Sequence, residues 1–240
     1  EKEFVVNVYR KASINHKNGR EVFNYAEEKD VTLEFEISGG YTEGWTYVWH
    51  RNGELLNESG KQITYHEVPT NEPFTSEYSV VATNTALNGD TLAVCPISFD
   101  VNIFPLTGIE YTTETEFNTA KDEDFTLGVL VTGGRKAGWE YKWFKNDLII
   151  DGDEPTLNAV EKTTKNIQNN IYKVVATNLA ENGDLLAEYT KEFVVNVYIA
   201  PDFFETKKFH EQVVSGIEFD RSVNYIGGNP DGWELIWKRN

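Results

Sequence analysis

Histidine, cysteine and carboxylate side chains are where chemistry at neutral pH would begin, and in this 240-residue chain they form no constellation. The four histidines, His16, His50, His66 and His210, are spread along the sequence without clustering. The metal-protease pair H-E-x-x-H, the nucleophile elbow G-x-S-x-G and the phosphate-binding P-loop are all missing. Cys95 is the single cysteine, so no intrachain disulfide can form, and it reads as a buried small apolar residue or a reactive thiol. Carboxylates are abundant, but the runs Glu27-Glu28-Lys29-Asp30 and Asp122-Glu123-Asp124 both precede a strand and read as solvated loops. A glycosidase needs only two carboxylates, which can be far apart in sequence. Such a site spread over near-identical repeats would have to be shared or lost by each copy. Asp90 and Asp184 each follow Asn-Gly, where turn chemistry accounts for them as readily as metal binding. No catalytic, cofactor-binding or metal-binding residue is therefore assigned, and the chain is read as a non-enzyme.

What does recur is aromatic. The stretch GWTYVWHRNG at 44–53 returns as GWEYKWFKND at 138–147 and as GWELIWKRN at 232–240. Trp45, Trp139 and Trp233 are spaced by 94 residues, the mark of a tandem array. Trp45, Tyr47 and Trp49 share strand parity, as do Trp139, Tyr141 and Trp143, and Trp233, Leu235 and Trp237. Such a row could stack against sugar rings, but retention in every copy favours one buried face, since each buried aromatic removes roughly 150–250 Å² from water. The other face carries Thr46, Val48 and His50, then Glu140, Lys142 and Phe144, and reads as solvent-facing.

The elements around this strand are also of period two. Val31, Leu33, Phe35 and Ile37 alternate with polar residues and predict a half-buried strand, repeated by Phe125, Leu127, Val129 and Val131. In the third copy Phe219, Val223 and Tyr225 fit, while Arg221 takes an inward position, implying a bulge or a buried partner. Loops GGYTEG, GGRKAG and GGNPDG follow, with glycines held where positive φ or close backbone approach is needed. Asn52-Gly53 and Asn146-Asp147 predict hairpins into short strands at Leu55-Leu56 and Ile149-Ile150. The region from Asn57 to Glu77 shows an apolar match only at Ile63 and Leu157, and Asn57-Glu58-Ser59 fits a glycosylation sequon. YSVVATNTALNGD at 78–90 and YKVVATNLAENGD at 172–184 then lead through Asn-Gly-Asp turns into closing strands, SFDVNIF and KEFVVNVY.

The net charge of −17 opposes nucleic-acid binding and anionic membrane surfaces, and no apolar run is long enough to span a bilayer. With short connections, the acidity also suggests calcium-stiffened junctions.

A tryptophan followed by W-x-x-N-G, then Y-x-V-x-A-T-N some thirty residues later, resembles an immunoglobulin-type domain. Trp49 and Trp143 match that family's third-strand tryptophan. Tyr78 and Tyr172 match its corner tyrosine, whose hydroxyl is then expected to bond back to the backbone. Val80 and Val174 stand at the second-cysteine position, with Phe35 and Val129 as their partners, so the resemblance implies apolar packing in place of the disulfide. The pattern is also similar to PKD-type sandwiches, and the repeat as a whole resembles those of bacterial cell-surface and adhesin proteins. The expectation is an all-β chain of tandem immunoglobulin-like β-sandwiches: 1–9 the last strand of a preceding unit, 10–104 and 105–198 complete units, and 199–240 the first half of a third. Methionine is absent even at position 1, which suggests a processed chain or a window onto a longer array. The implied role is a non-catalytic stalk or adhesive portion of a secreted surface protein, located outside the cell. Its partners would be neighbouring units of the chain and a protein or glycan ligand. A carbohydrate-binding module using Tyr41 or Phe144, and a filament joined through terminal strands, are the alternatives.

Overall fold

A computed structural model describes residues 2–203, 216 and 224–236. Phe219, Arg221, Val223, Trp237 and His210 lie outside the described residues. The chain is all-β, built as two sheet pairs that form two immunoglobulin-like domains. The helical content among the described residues is one short 3-10 turn at Lys17–Gly19.

In the first sheet pair, β1 (Ser13–His16), β3 (Lys29–Ser38) and β6 (Gln62–Glu67) form one sheet in the order β1-β3-β6. The other holds β2 (Val22–Tyr25), β8 (Thr91–Ile103), β7 (Phe74–Thr85), β4 (Trp45–Arg51) and β5 (Glu54–Leu55), in that order. The segment before Val31 thus contains two strands that its polar sequence did not announce. β1 runs antiparallel to β3, and after the 3-10 turn β2 crosses to the second sheet and pairs parallel with β8. Each is four residues long, too short for an alternation to stand out.

The second sheet pair repeats this. β9 (Gly108–Tyr111), β11 (Glu123–Thr132) and β14 (Thr156–Glu161) form the small sheet. β10 (Glu116–Thr119), β16 (Leu185–Val197), β15 (Gln168–Leu179), β12 (Trp139–Lys145) and β13 (Leu148–Ile150) form the large one. A further short pair, β17 (Asp202–Phe203) and β18 (Tyr225–Ile226), stands where the third copy begins.

The hairpins follow from local chemistry. Asn52 and Gly53 have φ of 50° and 81°, and Asn146 and Asp147 have 49° and 64°. Two consecutive positive φ values suit a two-residue hairpin whose twist matches its strands.

The first core draws on both sheets. Val31, Leu33 and Phe35 from β3 and Ile63 from β6 meet Trp49, Tyr78, Val80, Phe99, Val101 and Ile103. In the second, Leu127, Val129 and Leu157 meet Trp143, Tyr172, Val174, Phe193, Val195 and Val197. The alternation read from sequence is the alternation of burial along β3, β7 and β8.

Candidate functional site

In the first two rows only the second tryptophan lies fully inside: Trp49 and Trp143 are both 0% exposed. Each indole N–H is satisfied, Trp49 Nε1 donating to the carbonyl of Gly60 at 2.8 Å and Trp143 Nε1 to that of Glu154 at 2.9 Å. Trp49 packs on Phe35 and Phe99 with ring centroids at 5.6 and 5.8 Å. Trp45 and Trp139, together with Tyr47 and Tyr141, are half-buried, a correction to the expectation of a uniformly interior row. The Nε1 of Trp139 donates to Gly133 O at 3.2 Å, and that of Trp233 to Gly227 O at 3.0 Å. This tryptophan braces the glycine loop.

The corner tyrosines depart from the expected geometry. Tyr78 donates its hydroxyl to Glu67 Oε1 at 2.6 Å, and Tyr172 to Glu161 Oε1 at 2.6 Å, so the acceptor is a carboxylate and not the backbone. Glu67 and Glu161 are 1% and 4% exposed. A buried carboxylate needs a cation or several donors, and each repeat meets this differently. Glu67 is held by Arg51 Nη2 at 2.8–2.9 Å, and the same nitrogen donates to Ser76 Oγ at 3.0 Å. Glu161 receives Lys145 Nζ at 2.6 Å and Asn170 Nδ2 at 3.0 Å. Burial first, then the bond to the carboxylate, pushes both tyrosine hydroxyls well above their ordinary value of 10. Glu67 and Glu161 are themselves 94 residues apart, a recurrence hidden in the stretch with the fewest apolar matches.

Asn84 and Asn178, each 0% exposed, close the Y-x-V-x-A-T-N motif and clamp the glycine loops. Asn84 Oδ1 accepts the Tyr41 N–H at 2.7 Å and its Nδ2 donates to Tyr41 O at 2.8 Å. Asn178 holds Arg135 in the same way, both bonds at 2.9 Å. A Cβ on Gly40 or Gly134 would stand 2.4 Å from the respective Asn Oδ1, so the amide's place is what requires glycine there.

On the surface, the residues with chemical potential are dispersed. His66 bridges Asp30 at 2.8 Å and Glu28 at 2.9 Å, and these bonds raise its pKa above 6.5. His16 Nε2 lies 2.6 Å from Ser98 O, its ring edge-on to Phe99. Cys95 is half-buried, opposite Ala82 across the β7–β8 ladder. Asp90 and Asp184 take part in their own turns, with their backbone N–H groups donating to Asn88 Oδ1 and Asn182 Oδ1 at 3.2 and 3.1 Å. Among the described residues no group of three or more His, Cys, Asp and Glu stands together to hold a metal ion, and no helix is long and apolar enough to cross a membrane. Tyr41 tilts against Tyr9 with centroids 5.9 Å apart, and Lys173 Nζ sits 5.1 Å over the ring of Phe144.

No family model matches the chain, and no curated protein matches it in sequence. Among solved structures it is similar to immunoglobulin domains 1–4 of Sidekick-1, with a TM-score of 0.52 and 14% identity over 81% of this chain and 51% of that one. A structure of Sidekick-1 domains 1–5 gives 0.51 and 16% over 83% and 42%. The titin I-band fragment I67–I69 gives 0.43 and 11% over 81% and 68%. The chain spans about half the length of the four-domain Sidekick-1 structure. At these identities the likeness is one of fold: tandem immunoglobulin-like domains.

Proposed function

We propose that the chain is a non-catalytic array of immunoglobulin-like domains, the stalk or adhesive portion of a secreted bacterial surface protein. The observation that carries this reading is the identity of what repeats. Trp49/Trp143, Tyr78/Tyr172, Glu67/Glu161 and Asn84/Asn178 all hold a sandwich or its loop in place. The loop tips, by contrast, change from Tyr-Thr-Glu to Arg-Lys-Ala to Asn-Pro-Asp. A scaffold kept constant beneath variable tips suits a spacer whose partners, proteins or glycans, meet its exposed loops. The extracellular setting belongs to the same proposal, as do the unit limits 10–104 and 105–198.

Pulling a single chain from its two ends tests the spacer reading. Each unit opens in its own event and releases about 30 nm of chain, from a period of 94 residues at roughly 3.4 Å per residue. One merged event, or continuous extension without events, contradicts independent rigid units. A glycan array that gives hits abolished by Tyr41→Ala or Phe144→Ala moves the role to carbohydrate binding.

A further inference from the structure

The second repeat brings an amine, a carboxamide and a carboxylate together in its sandwich. Lys145 ends β12, Asn170 lies near the start of the neighbouring strand β15, and Glu161 ends β14 in the small sheet. Glu161 and Asn170 are 4% and 5% exposed. One oxygen, Glu161 Oε1, receives both Lys145 Nζ at 2.6 Å and Asn170 Nδ2 at 3.0 Å. The Tyr172 hydroxyl donates to the same oxygen at 2.6 Å. Asn146 holds the other end of the carboxamide, its Nδ2 donating to Asn170 Oδ1 at 2.9 Å. Asn146 is itself fixed, because its Oδ1 accepts the Ile171 N–H at 2.9 Å.

Satisfying a buried carboxylate asks for less than this. In the first repeat Arg51 and Ser76 do so around Glu67. Those two cannot react with each other to form an amide, since a guanidinium keeps its proton and a serine side chain has no carbonyl carbon. The second repeat has the parts that amide formation needs. Lys145 is a nucleophile once it loses a proton, and Glu161 touches it as the base. Asn170 Cγ is the electrophile, and Asn146 stands where negative charge develops on Oδ1. Holding amine and carboxamide on one oxygen replaces a chance encounter by a fixed one.

We propose that Lys145 and Asn170 join in an intramolecular isopeptide bond, with Glu161 moving the protons. Glu161 takes a proton from the Lys145 ammonium, and the free amine attacks Asn170 Cγ. The Asn146 amide steadies the charge on Oδ1. Glu161 passes its proton to Nδ2 and takes another from Nζ. The Cγ–Nδ2 bond breaks, ammonia leaves, and the Nζ–Cγ amide remains. No oxidant or cofactor is consumed, and the chain acts once on itself without turnover. The bond would tie β12 to β15 covalently whether or not the chain serves as a stalk. In the pull it withholds the chain between Lys145 and Asn170, so the second unit releases about 8 nm less than the first, at roughly 3.4 Å per residue.

Mass spectrometry of the intact, folded chain tests this. The chain is expected to be lighter than its sequence mass by one ammonia. Trypsin is expected to leave the chain uncut after Lys145 and to yield a branched peptide joining Lys145 to Asn170. Lys145→Arg with Asn170→Ser copies the first repeat's arrangement, so Glu161 keeps its cation and a hydroxyl, and the full sequence mass returns. An intact wild-type chain at full sequence mass, cut after Lys145 and with Asn170 in an unbranched peptide, overturns the proposal and leaves an ion pair only. So does a lost ammonia that maps to an Asn-Gly turn instead. A bond that still forms in Glu161→Gln overturns the part given to Glu161.

Discussion

Trp49 and Trp143 are the side chains on which the two cores close, and their removal tests the packing directly. Trp49→Ala or Trp143→Ala destabilises its own unit by about 3–5 kcal/mol, measured as a lowered midpoint in chemical unfolding. The tyrosine–glutamate pairs give a pH signature. Both hydroxyls have folded pKa values raised above 10, so the folded state keeps a proton that the unfolded chain releases. Their stabilising contribution is complete below pH 10 and is lost as pH climbs above it towards the raised values. Tyr78→Phe in one repeat and Tyr172→Phe in the other therefore flatten the alkaline fall in stability, while each costs about 1–3 kcal/mol at neutral pH by leaving a buried carboxylate short of a donor. Sequence parity identified the indole as interior, because alternation fixes which face a side chain takes. It overextended that status to Trp45 and Tyr47, which share the face of β4 but are only half-buried. The buried glutamates escaped notice because a lone charged residue in an irregular stretch carries no apolar pattern; their spacing of 94 was the signal.

At the scale of elements, the glycine loops after β3 and β11 leave no room for a Cβ at Gly39 and Gly40 or at Gly133 and Gly134. Gly134 has a φ of 64° and stands where a Cβ would meet Asn178 Oδ1, whereas Gly53 has a φ of 81° and open space around it. Gly134→Ala must therefore displace the clamp as well as bear the left-handed conformation, which alone costs about 1–2 kcal/mol. It lowers the melting temperature by more than Gly53→Ala. Equal shifts would show that the amide clamp yields freely. Across the β3–β6 ladder Asp30 faces His66, and Glu28 adds a second acceptor. The raised pKa means that this contribution is complete below pH 6.5 and fades as pH rises through the folded value. Because the ring is exposed the readout is its NMR titration, which falls back towards 6.5 in Asp30→Asn/Glu28→Gln. Strands with a clear period of two were legible, as were the hairpins whose turns demand Asn and Gly. The β1–β2 switch between sheets was not, since its two four-residue strands take their places from pairing with β3 and β8 and not from a pattern of their own.

The two complete repeats reach the same architecture with different side chains at equivalent jobs: Arg51 with Ser76 in one, Lys145 with Asn170 in the other. This is how an array tolerates drift, since the requirement is a satisfied carboxylate and not a particular cation. The recurring indoles of Trp49 and Trp143 are interior scaffold, each closing the core of its own sandwich. Hydrogen exchange at the indole Nε1–H of Trp49 and Trp143, followed by NMR in the intact chain, tests this most directly. The account predicts that both protons exchange only through opening of the whole sandwich, as slowly as the best-protected amides of β7 and β15. Exchange at the rate of a solvent-exposed indole would contradict it.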